Sequence, residues 1–210
     1  GLRVNVLAPP RTAVRVAVFR GEQVVAHLAD VARLRIAVFR DFPYLYDGNE
    51  DFERKYLKAY AESPDSVFVL AFDGDEVVGA STGIPLAQDG EAFQQPFRER
   101  GLAVDEVFYF GESVLLPSYR GIGLGHRFFD EREAHARRLG GFARTAFCAV
   151  DRAADDPRRP TDYRPNDAFW RKRGYERQDG MRMRLAWREL GETAESEKTL
   201  TFWSRALEPA

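Results

Sequence analysis

Residues 119–130 read YRGIGLGHRFFD, with glycines at positions 121, 123 and 125 directly ahead of a stretch of helical periodicity. A loop of this kind lets successive backbone N–H groups close around phosphate. The absent Cβ atoms clear the approach, and the start of a helix adds positive potential. A second residue able to do chemistry is Glu112, which interrupts FYFGESVLL, an otherwise apolar strand. An ionised carboxylate there needs either an ion-pair partner or a task such as proton abstraction. The only cysteine, Cys148, sits in the apolar run FARTAFCAV, where a thiol is a small packing group rather than a nucleophile. His27, His126 and His135 are too dispersed to form a metal-ligand cluster, so no metal is expected.

The glycine loop excludes two common phosphate-binding patterns. The dinucleotide fingerprint G-x-G-x-x-G, begun at Gly121 or Gly123, would need glycine where His126 or Phe128 stands. A P-loop would end Gly-Lys-Ser/Thr, and this one ends Gly125-His126-Arg127. What remains is Arg-x-x-Gly-x-Gly, Arg120 through Gly125, with the arginine able to add a charged fork to a pyrophosphate.

Positioning that loop requires a strand before it and a helix after it, and the pattern supplies both. EVFYFGESVLL (106–116) reads as a strand, and the helix after the loop runs to about Leu139, where Gly140-Gly141 stops it. Upstream, TAVRVAVF (12–19) alternates as a half-buried strand. Helical spacing of Leu28, Val31, Leu34, Val38, Phe39 and Phe42 predicts a helix over 27–42 ended by Pro43. Asn49 is placed to cap a second helix with the stripe Phe52, Tyr56, Leu57, Tyr60. SVFVLAF and EVVGASTGI flank Asp73-Gly74-Asp75, a hairpin signal. A short helix is expected within 88–101, a strand at 142–150, a short helix at DAFWRKR, and a closing hairpin from MRMRLAW and KTLTFWSRAL.

The chain has 210 residues, 44% apolar and 30% charged, with a formal net charge of −2. This is a globular composition that gives nucleic-acid binding no support, and no apolar run has the length of a membrane span. No linker or repeat divides it. The expected setting is the cytoplasm.

With the motifs in place, LLPSYRGIGLGHRFF resembles the acetyl-CoA-binding motif of the GCN5-related N-acetyltransferases (the GNAT superfamily), and AFWRKRGYE resembles that family's second cofactor motif. The order of elements is similar from about residue 12 to 207. The resemblance implies a single domain over 12–207 after an N-terminal extension, 1–11. It implies an α/β fold (an α+β mixed sheet), mostly antiparallel, with a splayed parallel strand pair and helices on both faces. It also implies acetyl-CoA as co-substrate. Backbone groups of Leu115 and Leu116 would face the pantetheine and thioester. Arg120, Gly121, Gly123, Gly125 and His126 would hold the pyrophosphate, His126 through its backbone.

The reaction so implied is direct acetyl transfer to a primary amine of a small molecule or peptide, with a Leu115 or Leu116 amide steadying the oxyanion. Glu112 is the general base or, alternatively, half of a structural ion pair. A bulge near Gly111 would reverse its facing. Tyr109 is the fallback lining residue. Where relatives carry an acidic Tyr, this chain has Trp170, whose indole is no practical proton source, so Trp170 packs beside the thioester or Tyr163 or water donates instead. Asn166 is a pantetheine contact or a helix cap. Arg158 and Arg159 would meet an anionic group or lie solvated. Tyr44, Tyr46, Asp47 and Glu50 would suit a cationic amine or form an ordinary polar loop. Two further readings stay open: a non-catalytic acyl-CoA sensor, and a transferase using a longer acyl-CoA. A homodimer pairing through KTLTFWSRAL is a further expectation.

Overall fold

A computed structural model of the protein describes residues 14–209. The expected extension (1–11) and the first two residues of the predicted opening strand lie outside the described residues. The chain then runs β1 (Val14–Arg20), a 3-10 turn, α1 (Leu28–Phe39), α2 (Glu50–Glu62), β2 (Val67–Asp73), β3 (Glu76–Pro85), α3 (Glu91–Glu99), β4 (Val107–Leu115), α4 (Leu124–Leu139), β5 (Arg144–Val150), α5 (Asp167–Lys172), β6 (Glu176–Trp187) and β7 (Ser196–Ala206). The strands form one sheet in the order β1-β2-β3-β4-β5-β7-β6. Every pairing is antiparallel except β4 with β5.

Local signals explain most element ends. The Asn49 side chain accepts from the Phe52 N–H at 3.0 Å and starts α2. Gly140, at φ 78°, ends α4. Gly74, at φ 59°, turns the β2–β3 hairpin. The first predicted helix is shorter than its apolar stripe. The α-helix stops at Phe39. Proline disfavours helical backbone in the residue before it and offers no N–H, so its effect reaches back before Pro43. Phe42 is released to pack edge-on against Tyr163, with ring centroids 4.9 Å apart.

The sheet is buried on both faces. Leu34 of α1, Leu57 of α2 and Phe97 of α3 pack on one face with Tyr109, Val114 and Phe202. On the other, Phe128 and Phe129 of α4 pack with Phe108, Phe110, Phe147 and Trp203. Hydrophobic burial of this kind is the main stabilising term. The expected pairing of KTLTFWSRAL across a dimer is overturned. β7 lies inside the sheet, bonded to β5 on one side and β6 on the other, so it has no free edge.

His135 of α4 gives the fold a pH dependence. Its ring is 1% exposed. Nδ1 accepts from Arg138, so Nε2 carries the proton and donates to the Asp65 carbonyl at 2.8 Å. Burial lowers its pKa from the ordinary 6.5. A neutral folded histidine stabilises the protein above the unfolded pKa, and that stability is lost as pH falls below about 6.5 because only the unfolded chain gains the proton readily. The melting temperature is therefore expected to fall between pH 7 and pH 5.5 more steeply for the wild type than for His135→Gln. Parallel curves for the two proteins would show that His135 has no part in the slope.

Candidate active site

β4 and β5 are hydrogen-bonded only where Val107, Phe108 and Tyr109 face Arg144, Thr145 and Ala146. Beyond that point β4 stays with β3 while β5 stays with β7, opening a cleft between the two strands. The Leu116 N–H donates to the Val78 carbonyl at 3.0 Å. Antiparallel alternation then turns both the N–H and the C=O of Leu115 away from β3, into the cleft. Of the two expected amides, only that of Leu115 is left to donate there. The Leu115 carbonyl accepts from the Arg120 guanidinium through Nε at 3.2 Å and Nη2 at 3.1 Å.

The glycine loop follows at the end of this cleft. The Tyr119 hydroxyl donates to the Asp73 carboxylate and ties the loop to β2. Gly121 and Gly123 hold φ values of 78° and 89°, the left-handed region that glycine enters without strain. A Cβ on either would meet nothing within 4 Å. The N–H groups of Gly121 through His126 donate to no backbone carbonyl among the described residues, and the first returning bond runs from Arg127 to Gly123 at 3.1 Å. The His126 ring packs edge-on against Phe169, with centroids 4.7 Å apart, so it is the backbone of His126 that joins the row of donors. This row fits a pyrophosphate: it is unobstructed, unpaired and at a helix N-terminus.

Glu112 faces away from α4, and a bulge decides it. Ser81 pairs with Ser113 and Gly83 with Phe110, so two steps along β3 match three along β4. The extra residue falls at Gly111–Glu112. Val107 and Tyr109 face α1–α3, and strict alternation would send Glu112 to the opposite side with Phe108 and Phe110. After the bulge the parity is reversed, and Glu112 joins Tyr109 and Val114 beneath α1 and α2. Gly111 is required there, since a Cβ would come 2.5 Å from Thr82 Oγ1.

Below the helices Glu112 is buried, with Oε2 held 2.8 Å from Arg35 and accepting from the Tyr56 hydroxyl at 3.3 Å. Its other oxygen, Oε1, has no hydrogen-bond partner although it is buried. Arg35 also pairs with Glu53, whose second oxygen accepts from the Tyr46 hydroxyl at 3.0 Å. Burial works to strip the Arg35 proton, but Glu112, Tyr56 and Glu53 together outweigh it and hold the guanidinium more basic than usual. One cation between two carboxylates leaves the cluster net negative. Sequence reading missed Arg35, Glu53 and Tyr56 as site residues. The available signal was Arg35 itself, a charge four residues after Val31 on the buried stripe of α1.

The remaining predicted residues separate into several groups. Tyr109 lies on the Glu112 face, its hydroxyl 3.0 Å from Cys148 Sγ. Burial raises the Tyr109 pKa and pushes the Cys148 thiol up to about 12, which keeps it protonated and unreactive. Trp170 packs on the opposite side of the sheet, 4.9 Å from Phe147 and 5.1 Å from Trp203 by ring centroids. Asn166 precedes α5, exposed, and its side chain makes no capping bond. Tyr163 lies apart from Trp170, between Phe42 and the Arg159 guanidinium. The polar loop has internal partners throughout: Tyr44 packs on Phe39, Tyr46 bonds Glu53, Asp47 pairs with Arg188 at 2.7 Å and Glu50 with Arg54 at 3.4 Å. Arg158 is likewise paired with Asp156 and Glu189.

The sequence model of the acetyltransferase (GNAT) family matches residues 21–160, two-thirds of the chain and all of the elements from α1 through β5. The chain belongs to the acetyltransferase (GNAT) family. No curated protein matches it in sequence. Solved structures share the fold at low identity. The yncA protein of Salmonella typhimurium, solved with its cofactor acetyl-CoA, aligns at TM-score 0.60 and 12% identity over 94% of this chain and 96% of that one. An acetyltransferase of the GNAT family from Streptococcus pneumoniae aligns at 0.56 and 15% identity over 92% and 100%. A ribosomal-protein-alanine N-acetyltransferase from Brucella melitensis aligns at 0.58 and 13% identity over 91% and 99%. The GNAT family match ends before α5, so the motif AFWRKRGYE stands outside it.

Proposed function

We propose that this GNAT protein is a cytoplasmic N-acetyltransferase that moves the acetyl group of acetyl-CoA directly onto a primary amine of a small molecule or peptide. The observation that carries this reading is the unpartnered, buried Oε1 of Glu112, on the strand whose Leu115 N–H opens into the cleft. Bound acetyl-CoA supplies an activated thioester carbonyl. The Arg120–His126 loop would hold its pyrophosphate through backbone N–H groups. Asn166, Leu115 and Leu116 would line the pantetheine. Trp170 sits in the aromatic core that supports this side of the cleft.

Glu112 Oε1, closed to direct contact by its burial, accepts the proton of the acceptor's ammonium through one bridging water. The span from Glu112 to Leu115 is about 10 Å of strand, which leaves room for both. The Leu115 N–H donates to the oxygen on which negative charge develops. The nitrogen–carbon bond forms as the carbon–sulfur bond breaks, and Tyr163 gives its hydroxyl proton to the departing sulfur. The second proton leaving the nitrogen returns through water to the tyrosinate, so that the amide and free CoA thiol are released. Burial and the nearby Asp167 raise the Tyr163 pKa, which keeps that proton in place at neutral pH. Tyr109 lines the acceptor side without leaving its bond to Cys148. The net negative Arg35–Glu53–Glu112 cluster favours a cationic acceptor.

Thermal unfolding with acetyl-CoA, CoA, NADH and ATP tests the donor. At about 100 times its Kd a ligand of the native state adds roughly 2.7 kcal/mol, and only the two CoA compounds are expected to do so. Free-thiol release with a panel of primary amines then tests turnover, with longer acyl-CoA donors run alongside. Stabilisation without release from any donor would replace the enzyme with an acyl-CoA sensor. No stabilisation would overturn the donor site.

A further inference from the structure

Arg132 of α4 is 2% exposed, and no carboxylate lies within ion-pair distance of it among the described residues. A buried guanidinium without an anion in contact is costly, so its contacts have to be accounted for. Nη1 donates to the carbonyls of Thr82 at 3.3 Å and Glu112 at 3.2 Å. Nη2 reaches Ser113 Oγ at 3.5 Å, and Nε donates to the Phe128 carbonyl of its own helix at 3.2 Å. The guanidinium lies over the rings of Phe110 and Phe129, 4.2 and 4.9 Å from their centroids. Thr82 and Glu112 are the residues on either side of the β3–β4 bulge, where the ladder is interrupted and a carbonyl is left without its regular donor. One side chain from the far helix therefore closes the irregularity that aims Glu112.

We propose that Arg132 is a positioning residue for acetyl transfer: it pins the β4 bulge that turns Glu112 toward the acceptor, and sets a fixed positive charge behind that carboxylate. The inference rests on the reading of Glu112 as general base. Lysine could keep the charge, but its single nitrogen with three donors cannot serve the Thr82, Glu112 and Phe128 carbonyls and Ser113 Oγ at once, and glutamine could keep a donor but not the charge. Burial lowers the Arg132 pKa to about 10, with Tyr175, Glu112 and Glu133 opposing that fall, so the group stays charged at neutral pH. The other groups facing Glu112 are Arg35 from α1, Glu53, Tyr56 and Tyr60 from α2, and Asp89 from the segment after β3. All are intact in both variants.

The experiment compares wild type, Arg132→Lys and Arg132→Gln in the full chain, using acetyl-CoA and the amine that the wild type acetylates fastest. Arg132→Gln is expected to keep acetyl-CoA affinity within about 3-fold, to lose about 100-fold in kcat, and to move the acidic limb of its kcat/KM profile up by about one pH unit. Arg132→Lys is expected to lose about 10-fold in kcat with that limb unmoved, because the charge remains. In both, hydrogen exchange of β4 amides around Gly111 should quicken. If Arg132→Gln does not fold, Arg132→Lys decides: wild-type kcat and wild-type exchange would overturn the proposal. A folded Arg132→Gln with the wild-type rate and pH profile would overturn it as well. Glu112→Gln separates the two levels. Its full activity would remove the base assignment itself, whereas an inactive Glu112→Gln beside an unaffected Arg132→Gln removes only the role of Arg132. A wild type that acetylates no amine overturns both.

Discussion

Glu112→Gln is expected to lower kcat by about 100- to 10,000-fold, or about 2.7 to 5.5 kcal/mol of transition-state stabilisation, the range that one positioned general base supplies. The substitution keeps the shape of the side chain and an acceptor oxygen for Tyr56, but it cannot take up a proton. Affinity for acetyl-CoA should stay within about 3-fold, since the loop proposed to hold the phosphates follows Leu115 and lies beyond Glu112, and binding and proton abstraction are separate interactions. The residual rate should climb with pH until the acceptor amine is itself deprotonated in solution, as neutral amine then arrives without needing a base. Some loss of thermal stability will accompany the change, because Arg35 is left with Glu53 alone in a buried site. A variant that binds acetyl-CoA and turns over at the wild-type rate across the pH range would show that the carboxylate is purely structural.

Gly123→Val should abolish the response to acetyl-CoA. At φ 89° a β-branched residue is strained, so the loop must either keep its shape at a cost of about 1–3 kcal/mol or rotate its peptide groups out of line. A valine that keeps the loop's shape would place its side chain in the open space above the N–H row, where a Cβ now meets nothing within 4 Å. Removing two charge-assisted N–H hydrogen bonds to phosphate, each worth about 1.5–3 kcal/mol, weakens binding by about 100-fold or more. A ligand concentration that gave about 2.7 kcal/mol of stabilisation then gives about 0.4. The unliganded protein should melt a few degrees lower and keep its circular dichroism. Unchanged affinity for CoA in the folded variant would remove the loop from the donor site.

The parts of this fold legible in the sequence are those governed by a few adjacent residues. Asn49 at the start of α2, Gly74 in the hairpin and Gly140 at the end of α4 act through their own backbone and nearest neighbours, and each stands where the pattern puts it. The glycine loop is legible for the same reason, since Gly121 and Gly123 take left-handed backbone that glycine alone adopts freely. Strand partners are less local. KTLTFWSRAL reads as one arm of a closing hairpin, and it does pair with β6, yet its other edge is taken by β5, a partner chosen by how the whole sheet closes over its two cores.

By itself the sequence determined that a strand, a glycine loop and a helix would present a row of open backbone donors, and that one carboxylate would lie in the strand before it. Only the tertiary structure decided which way that carboxylate faces and which amide is open beside it. A single extra residue at Gly111–Glu112 exchanges the two faces of β4, and the contacts that hold it come from Thr82 and Arg132, distant in the chain. Val78 occupies the Leu116 N–H and leaves that of Leu115 turned into the cleft. Arg35 meets Glu112 only because α1 crosses the sheet above β4. Strand periodicity specifies alternation, but its phase is set by pairing and packing with residues far away in sequence.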